Sequence, residues 1–159
     1  MFQPTCVQLV TIDHAHAVPA DDAIVLAAPP LDEFVREVAA LRGSTQTQRD
    51  AHLERLASTP LMTRAIVARC DGRTIACGQA ALDRGLAGIY DMITDSGFRG
   101  RGAATRIVAA LLGWARDNGA SHAFLQVDAD NAPALVLYRK FGFATAYVYH
   151  YRARPDECQ

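Results

Sequence analysis

The chain lacks several features, and each absence argues against a class of function. None of its four cysteines, Cys6, Cys70, Cys77 and Cys158, sits in a C-x-x-C, and their spacings match no zinc ligand pair. Free thiols in a reducing compartment, and no metal site, are therefore expected. No apolar run approaches the ~18 residues that a membrane span requires, and the N-terminus carries no basic stretch leading into an apolar core. A soluble cytoplasmic protein without a membrane partner is the expectation. Positive charge is not in excess either: 16 basic residues stand against 17 acidic ones, a net charge of −1, so broad nucleic-acid affinity is not expected. Lysine is nearly missing, Lys140 standing alone among arginines, a bias of composition more than of chemistry. No internal repeat, low-complexity tract or linker divides the chain.

What is present fits a single domain over residues 1–159. Half of the residues are hydrophobic, enough at this length to bury a core. The charge is unevenly spread: residues 1–85 carry 8 Arg against 10 acids, whereas residues 86–154 carry 8 basic residues against 5 acids. A mildly basic later section suits a small anionic ligand better than a polyanion.

Hydrophobic spacing predicts a strand over 5–12, a loop through DHAHAVPADD, and a short apolar run over 23–28 that ends at Pro29 and Pro30. Leu31, Phe34, Val35, Val38 and Leu41 then recur at helical spacing as far as Gly43. A second helix is expected over 46–57, with Leu53 and Leu56 facing inward and His52 facing solvent. Beyond it the period changes. Residues 64–70 and 74–82, joined by Asp71-Gly72, read as a hairpin, and 86–94 as a third antiparallel strand. Ile107, Val108, Leu111, Leu112 and either Trp114 or Ala115 mark an amphipathic helix that stops at Asn118-Gly119. A strand over 122–127, a short helix over 133–140, a break at Gly142 and an aromatic-rich strand over 143–152 complete the order.

Between the third strand of that run and the amphipathic helix lies FRGRGAATR, Phe98 to Arg106. A glycine-rich turn leading from a strand into a helix favours anions, because the backbone can approach closely, successive amide N–H groups converge, and the helix N-terminus adds partial positive charge. It is equally a tight connection with no ligand. Two phosphate motifs are ruled out: G-x-G-x-x-G fails because Thr105 stands where its last glycine belongs, and G-K-[ST] is missing.

Parsed as Arg99-x-x-Gly102-x-Ala104, the turn resembles the R/Q-x-x-G-x-G/A acetyl-coenzyme A signature of the GNAT superfamily of N-acetyltransferases. NAPALVLYRKFGF, Asn131 to Phe143, is similar to the N-x-x-A-x-x-L-Y-x-x-x-G-F segment of the same superfamily at every fixed position. The resemblance covers about residues 64–152; residues 1–60, the acceptor side, agree only in having a strand followed by two helices. It implies an α+β fold of sandwich type: a central mixed, mostly antiparallel sheet with helices on both faces and two central strands that splay apart. It also implies an N-acetyltransferase with acetyl-coenzyme A as cosubstrate and a small-molecule or peptide amine as acceptor, the amine attacking directly so that no enzyme nucleophile is needed.

Residue by residue, the resemblance places the coenzyme A diphosphate over the amides of Arg99, Gly100, Arg101, Gly102, Ala103, Ala104 and Thr105, with charge assistance from the arginines. Met92, Ile93 and Thr94 align with the strand segment that pairs with the pantetheine arm, where an amide near Met92 and Ile93 polarises the thioester carbonyl. Asn131 matches an asparagine beside that arm, and would equally order the turn before its helix. Tyr138 matches the tyrosine that protonates the departing thiolate, and would otherwise be a packed helical residue.

The general base departs from the pattern. Many members carry Glu or His eleven positions before the motif's Arg/Gln, where this chain has Gly88, with Tyr90 two positions on. Asp91 is the nearest ionisable residue, yet strand alternation puts it on the opposite face unless a bulge intervenes. Asp128 and Asp130 offer a further acidic pair near the splay, or caps for the following helix. His14 and His16 read as loop residues, His122 and His150 as structural residues on strands. With that position empty, a module that senses acyl-coenzyme A without turnover is the alternative; a nucleic-acid domain built on Arg99–Arg106 is disfavoured by the acidic balance elsewhere. The acceptor is not encoded in any motif of residues 29–60, where Asp32, Glu33 and Glu37 either attract an amine or solvate a helix. Homodimers are common among similar proteins, and the C-terminal AYVYHYR strand is the segment expected at such an interface.

Overall fold

The computed structural model describes residues 4–18 and 21–150; Cys158 and the last two residues of the strand expected over 143–152 lie outside them. Seven strands form one sheet: β1 Pro4–Thr11, β2 Ile24–Ala27, β3 Met62–Cys70, β4 Arg73–Asp83, β5 Leu86–Thr94, β6 His122–Asp128 and β7 Ala144–His150. The four helices are α1 Leu31–Arg42, α2 Gln46–Ser58, α3 Ala103–Asp117 and α4 Ala132–Lys140.

Local chemistry accounts for most of these boundaries. Pro30 starts α1, whose first turn carries Asp32 and Glu33, favourable at the positive end of the helix dipole, and Gly43 ends it in the left-handed region at φ 73°. Thr45 and Gln48 form a reciprocal capping box at the start of α2. Asp71 and Gly72 take positive φ, 51° and 76°, giving the tight turn between β3 and β4.

The strand order is β2-β3-β4-β5-β6-β1-β7, antiparallel at every junction but one. The exception is β5 with β6, parallel from Leu86 opposite His122 to Ile89 opposite Leu125, where pairing stops. Past Ile89 the two strands diverge, as the resemblance implied. On one side of the sheet, α1 seals a small cluster of Phe34, Val38, Val67 and Cys77. The larger cluster gathers Ile107, Val108, Leu111, Leu112 and Ala115 of α3 with β-strand residues and with Tyr138, Phe141 and Phe143. Ala115, rather than Trp114, is the fully buried member of the pair.

β1 threads between β6 and β7 and pairs with both, so β7 is an edge, with Tyr147 60% and Val148 49% exposed. One feature differs from the sequence reading. The buried centre of α2 is His52, 7% exposed, with Leu53 and Leu56 only partly covered beside it, so the expectation that His52 faces solvent is corrected.

Candidate active site

The divergence of β5 from β6 coincides with a bulge. Gln79 of β4 faces Tyr90 and Cys77 faces Ile93, so Asp91 and Met92 together oppose the single residue Gly78. Asp91 takes φ 54°, and the added residue turns it to the same side as Tyr90 instead of the opposite one. Strict alternation, which set the two apart, fails here. Both now line a cavity of about 400 Å³ with Arg42, Met92, Asp128, Asn131 and Tyr138. The thioether of Met92 turns the other way, into space that Gly78 leaves free for want of a Cβ.

Asp91 is the electrostatic centre of this region. Arg42, closing α1, donates to its Oδ1 at 3.0 Å; the ring Nε2 of His52 lies 2.9 Å from Oδ2, and the Gln79 amide donates to the same oxygen at 2.5 Å. Three elements converge on one carboxylate, and this explains why a polar helix with few apolar residues turns its histidine inward: the partner waiting there is an anion. Below it, the Cys77 thiol donates to the Asp91 carbonyl at 3.3 Å. Burial first, and the nearby Asp91 charge second, push that thiol from its ordinary 9.0 up to about 12, so it stays protonated and unreactive at neutral pH.

At Gly88 the structure answers the departure seen in the sequence. A Cβ there would collide with the hydroxyl of Tyr90, whose ring folds back over the glycine and meets Phe124 edge-on at 6.1 Å between centroids. The position where many GNAT members carry Glu or His is thus covered by a phenol. Burial raises the pKa of that phenol, so it presents a held proton, not a base.

At the far end of β5, Asp95 accepts from the Gly97 amide at 2.9 Å and pairs with Arg73 at 2.7 Å; these bonds, the amide foremost, lower its pKa. A short 3-10 turn, Ser96–Phe98, follows. Phe98 is flanked by the guanidinium groups of Arg73 and Arg101 at 5.1 and 4.9 Å from its ring. Gly100 and Gly102 both adopt positive φ, 78° and 80°, and Gly102 occupies the N-cap of α3. Glycine is favoured there because an L side chain is strained in that region. Among the described residues no backbone N–H from Arg99 to Thr105 donates to a protein acceptor; bonding resumes at Arg106, whose N–H reaches Gly102 O at 3.1 Å. Seven unpartnered amides at a helix N-terminus, with exposed Arg99 and Arg101 beside them, match an anionic diphosphate in charge and hydrogen-bonding capacity. Arg106 serves differently: its guanidinium donates to the carbonyls of Asp21 and Ile24 and ties α3 to β2.

Met92, Ile93 and Thr94 lie on the stretch of β5 that β6 no longer pairs. The edge left open there has the backbone groups that an extended amide chain needs. Asn131 caps α4, its side chain accepting from the Ala134 amide at 3.2 Å, and also lines the cavity. Tyr138 is 6% exposed, packs edge-on to Phe143 and lines the cavity; burial drives its phenol up to about 12. Asp128 lines the cavity, whereas neither Asp128 nor Asp130 provides the cap of α4. His14 and His16 stack on each other in the loop after β1, away from the cavity, and His122 and His150 lie on strands. No group of three or more His, Cys, Asp or Glu among the described residues is placed to hold a metal ion. Sequence reasoning missed His52 and Gln79. Only the bulge joins them to Asp91, and no glycine or proline in YDMIT signals it.

Known proteins resemble this chain in sequence over part of its length and in fold. Over 79 residues the chain is 37% identical to YobR, an uncharacterized N-acetyltransferase of Bacillus subtilis (strain 168), covering 50% of this chain and 32% of that one. Over 58 residues it is 41% identical to the mycothiol acetyltransferase of Corynebacterium glutamicum (strain R), covering 36% of this chain and 20% of the other. These matches span about a third or less of the relatives' length. A GCN5-related N-acetyltransferase from Sphaerobacter thermophilus superposes with a TM-score of 0.76 over 94% of this chain and 50% of that one, at 22% identity. Glucosamine-6-phosphate N-acetyltransferase from Arabidopsis thaliana superposes with 0.63 over 83% and 99%, at 20% identity; both likenesses speak to the fold. The model of the acetyltransferase (GNAT) family matches residues 32–143, which take in the splayed strands, the amide cradle and Tyr138. The chain belongs to the acetyltransferase (GNAT) family.

Proposed function

We propose that the protein transfers an acetyl group from acetyl-coenzyme A to a primary amine, by direct attack within a ternary complex. The observation that carries this reading is the end of β5–β6 pairing at Ile89, beside a cavity lined by both a carboxylate, Asp91, and a protonated phenol, Tyr138. When bound, acetyl-coenzyme A supplies an activated acyl thioester.

The chain's own groups have distinct tasks. Amides 99–105 neutralise and seat the diphosphate, and the open edge of β5 aligns the arm so that an amide near the bulge faces the carbonyl oxygen. Asp91, anchored by Arg42, His52 and Gln79, draws the amine in and, with His52, takes up the proton that the amine loses. Tyr138 retains its proton at neutral pH because its phenol is held near 12, and donates it toward the departing sulfur. Holding the two reactants together supplies most of the remaining acceleration.

A second reading, an acyl-coenzyme A sensor without turnover, is favoured by one observation: position 88 carries no acid or base and is roofed by Tyr90. Release of free thiol from acetyl-coenzyme A across a panel of primary amines, measured beside calorimetric binding, separates the two. Amine-dependent release supports the transferase; binding without release on every amine supports the sensor.

A further inference from the structure

A second cavity, of about 480 Å³, lies between α1 and α2 and is lined by Arg42, Ser44, Gln48, Arg49, His52 and Arg55 among others. Three guanidinium groups face it, and no aspartate or glutamate does. The pattern follows from helical spacing: Arg49, His52 and Arg55 recur every third residue and share one side of α2, while Asp50 and Glu54 fall on the far side. Among the described residues, only one of the three is paired with an acid. Arg42 spends one nitrogen on Asp91, Arg49 donates to Gln46, and Arg55 makes no ion pair among the described residues.

The two cavities adjoin: Arg42 lines both, and Asp91 of the first contacts His52 of the second. An anion on one side of that wall thus neighbours three guanidinium groups on the other. An amine suits Asp91; the group attached to it must suit three arginines.

We infer that the acceptor is an amine that also bears an anionic group, a carboxylate or a phosphate, which docks between α1 and α2 on Arg42, Arg49 and Arg55. Guanidinium groups pair with both oxyanions through paired hydrogen bonds, and the hydroxyl of Ser44 and the amide of Gln48 add donors at the same wall. An acceptor carrying several amines and no acid meets repulsion there. This inference rests on the transferase reading and names its substrate class.

The test compares acceptors that differ only in the acidic group: α-amino acids against their carboxamides, and O-phosphoethanolamine against ethanolamine. Thiol release from acetyl-coenzyme A gives kcat/KM for each, in the wild type and in Arg49→Gln/Arg55→Gln. The anionic member of at least one pair is expected to be favoured by about tenfold or more, mainly through KM, and the double variant is expected to lose that ratio. Equal use of both members of every pair, a preference for the neutral ones, or a ratio that survives in the double variant overturns the inference. Failure of the transferase reading looks different, since no amine then releases thiol. In that case direct calorimetric titration of O-phosphoethanolamine decides the cavity: binding that the double variant loses upholds the anion site, and no binding to the wild type overturns it.

Discussion

Asp91 stands at φ 54°, a conformation that asparagine and aspartate adopt more readily than bulky residues. Asp91→Asn accordingly keeps the bulge while removing the charge that gathers Arg42, His52 and Gln79. Turnover of that variant is expected to fall by roughly 10²-fold with little change in acetyl-coenzyme A affinity, as steady-state kinetics and calorimetry would record. Undiminished turnover would remove Asp91 from the reaction. Tyr138→Phe keeps the edge-on packing with Phe143 and deletes only the proton donor, so kcat is expected to drop by on the order of 10²-fold while the melting temperature moves little. Cys77 gives a prediction in pH. Folded, its thiol holds a proton up to about 12 against an ordinary 9.0, so the folded state binds the proton that the unfolded chain releases between those values. That contribution to stability is fully present below pH 9 and is lost as pH rises toward 12. Urea midpoints followed across this window should decline less steeply in Cys77→Ser, which has no titrating thiol; parallel declines would contradict the burial of that proton.

Among the elements, the turn into α3 depends on backbone more than on side chains. Gly102→Glu puts a side chain at φ 80° and a negative charge beside seven free amides. Loss of measurable acetyl-coenzyme A binding is expected, with a stability cost of about 1–2 kcal/mol from the left-handed conformation. Retained affinity would dissociate the turn from the cofactor. The turn could be placed between a strand and an amphipathic helix from its glycines, but its ligand came only from the resemblance that it shares with Asn131–Phe143; α1 and the β3–β4 hairpin were read from their apolar periods and their Gly and Asp-Gly signals. α2 was harder. Its few apolar residues pointed to Leu53 and Leu56 as the inner face, but its buried residue is His52, which meets Asp91 of β5 at 2.9 Å, and a contact across that distance leaves no local period. The bulge in β5 was hidden for a related reason: Asp91 reaches positive φ without a glycine to announce it.

For the molecule as a whole, the first strand lies inside the sheet. β1 sits between β6 and β7, and only long-range pairing puts it there, so the sequence showed a strand without its place. Proline at Val7 deletes a donor within this interior strand and is expected to lower stability by several kcal/mol, a large share of the ~5–15 kcal/mol typical of a domain. The same change at Val148, on the edge strand β7, should cost distinctly less in a urea titration. Equal costs would argue that β1 is not integral to the sheet. A sheet ordered in this way pairs β5 with β6 as far as Ile89 and leaves them unpaired beyond it, where Asp91 and Tyr138 line the cavity. The most direct measurement is mass spectrometry of both protein and amine after incubation with acetyl-coenzyme A. Direct transfer predicts N-acetylated amine in one-to-one ratio with free thiol and a protein of unchanged mass. Tight binding with no acetylated amine from any acceptor, or an acetyl group lodged on the protein, would contradict it.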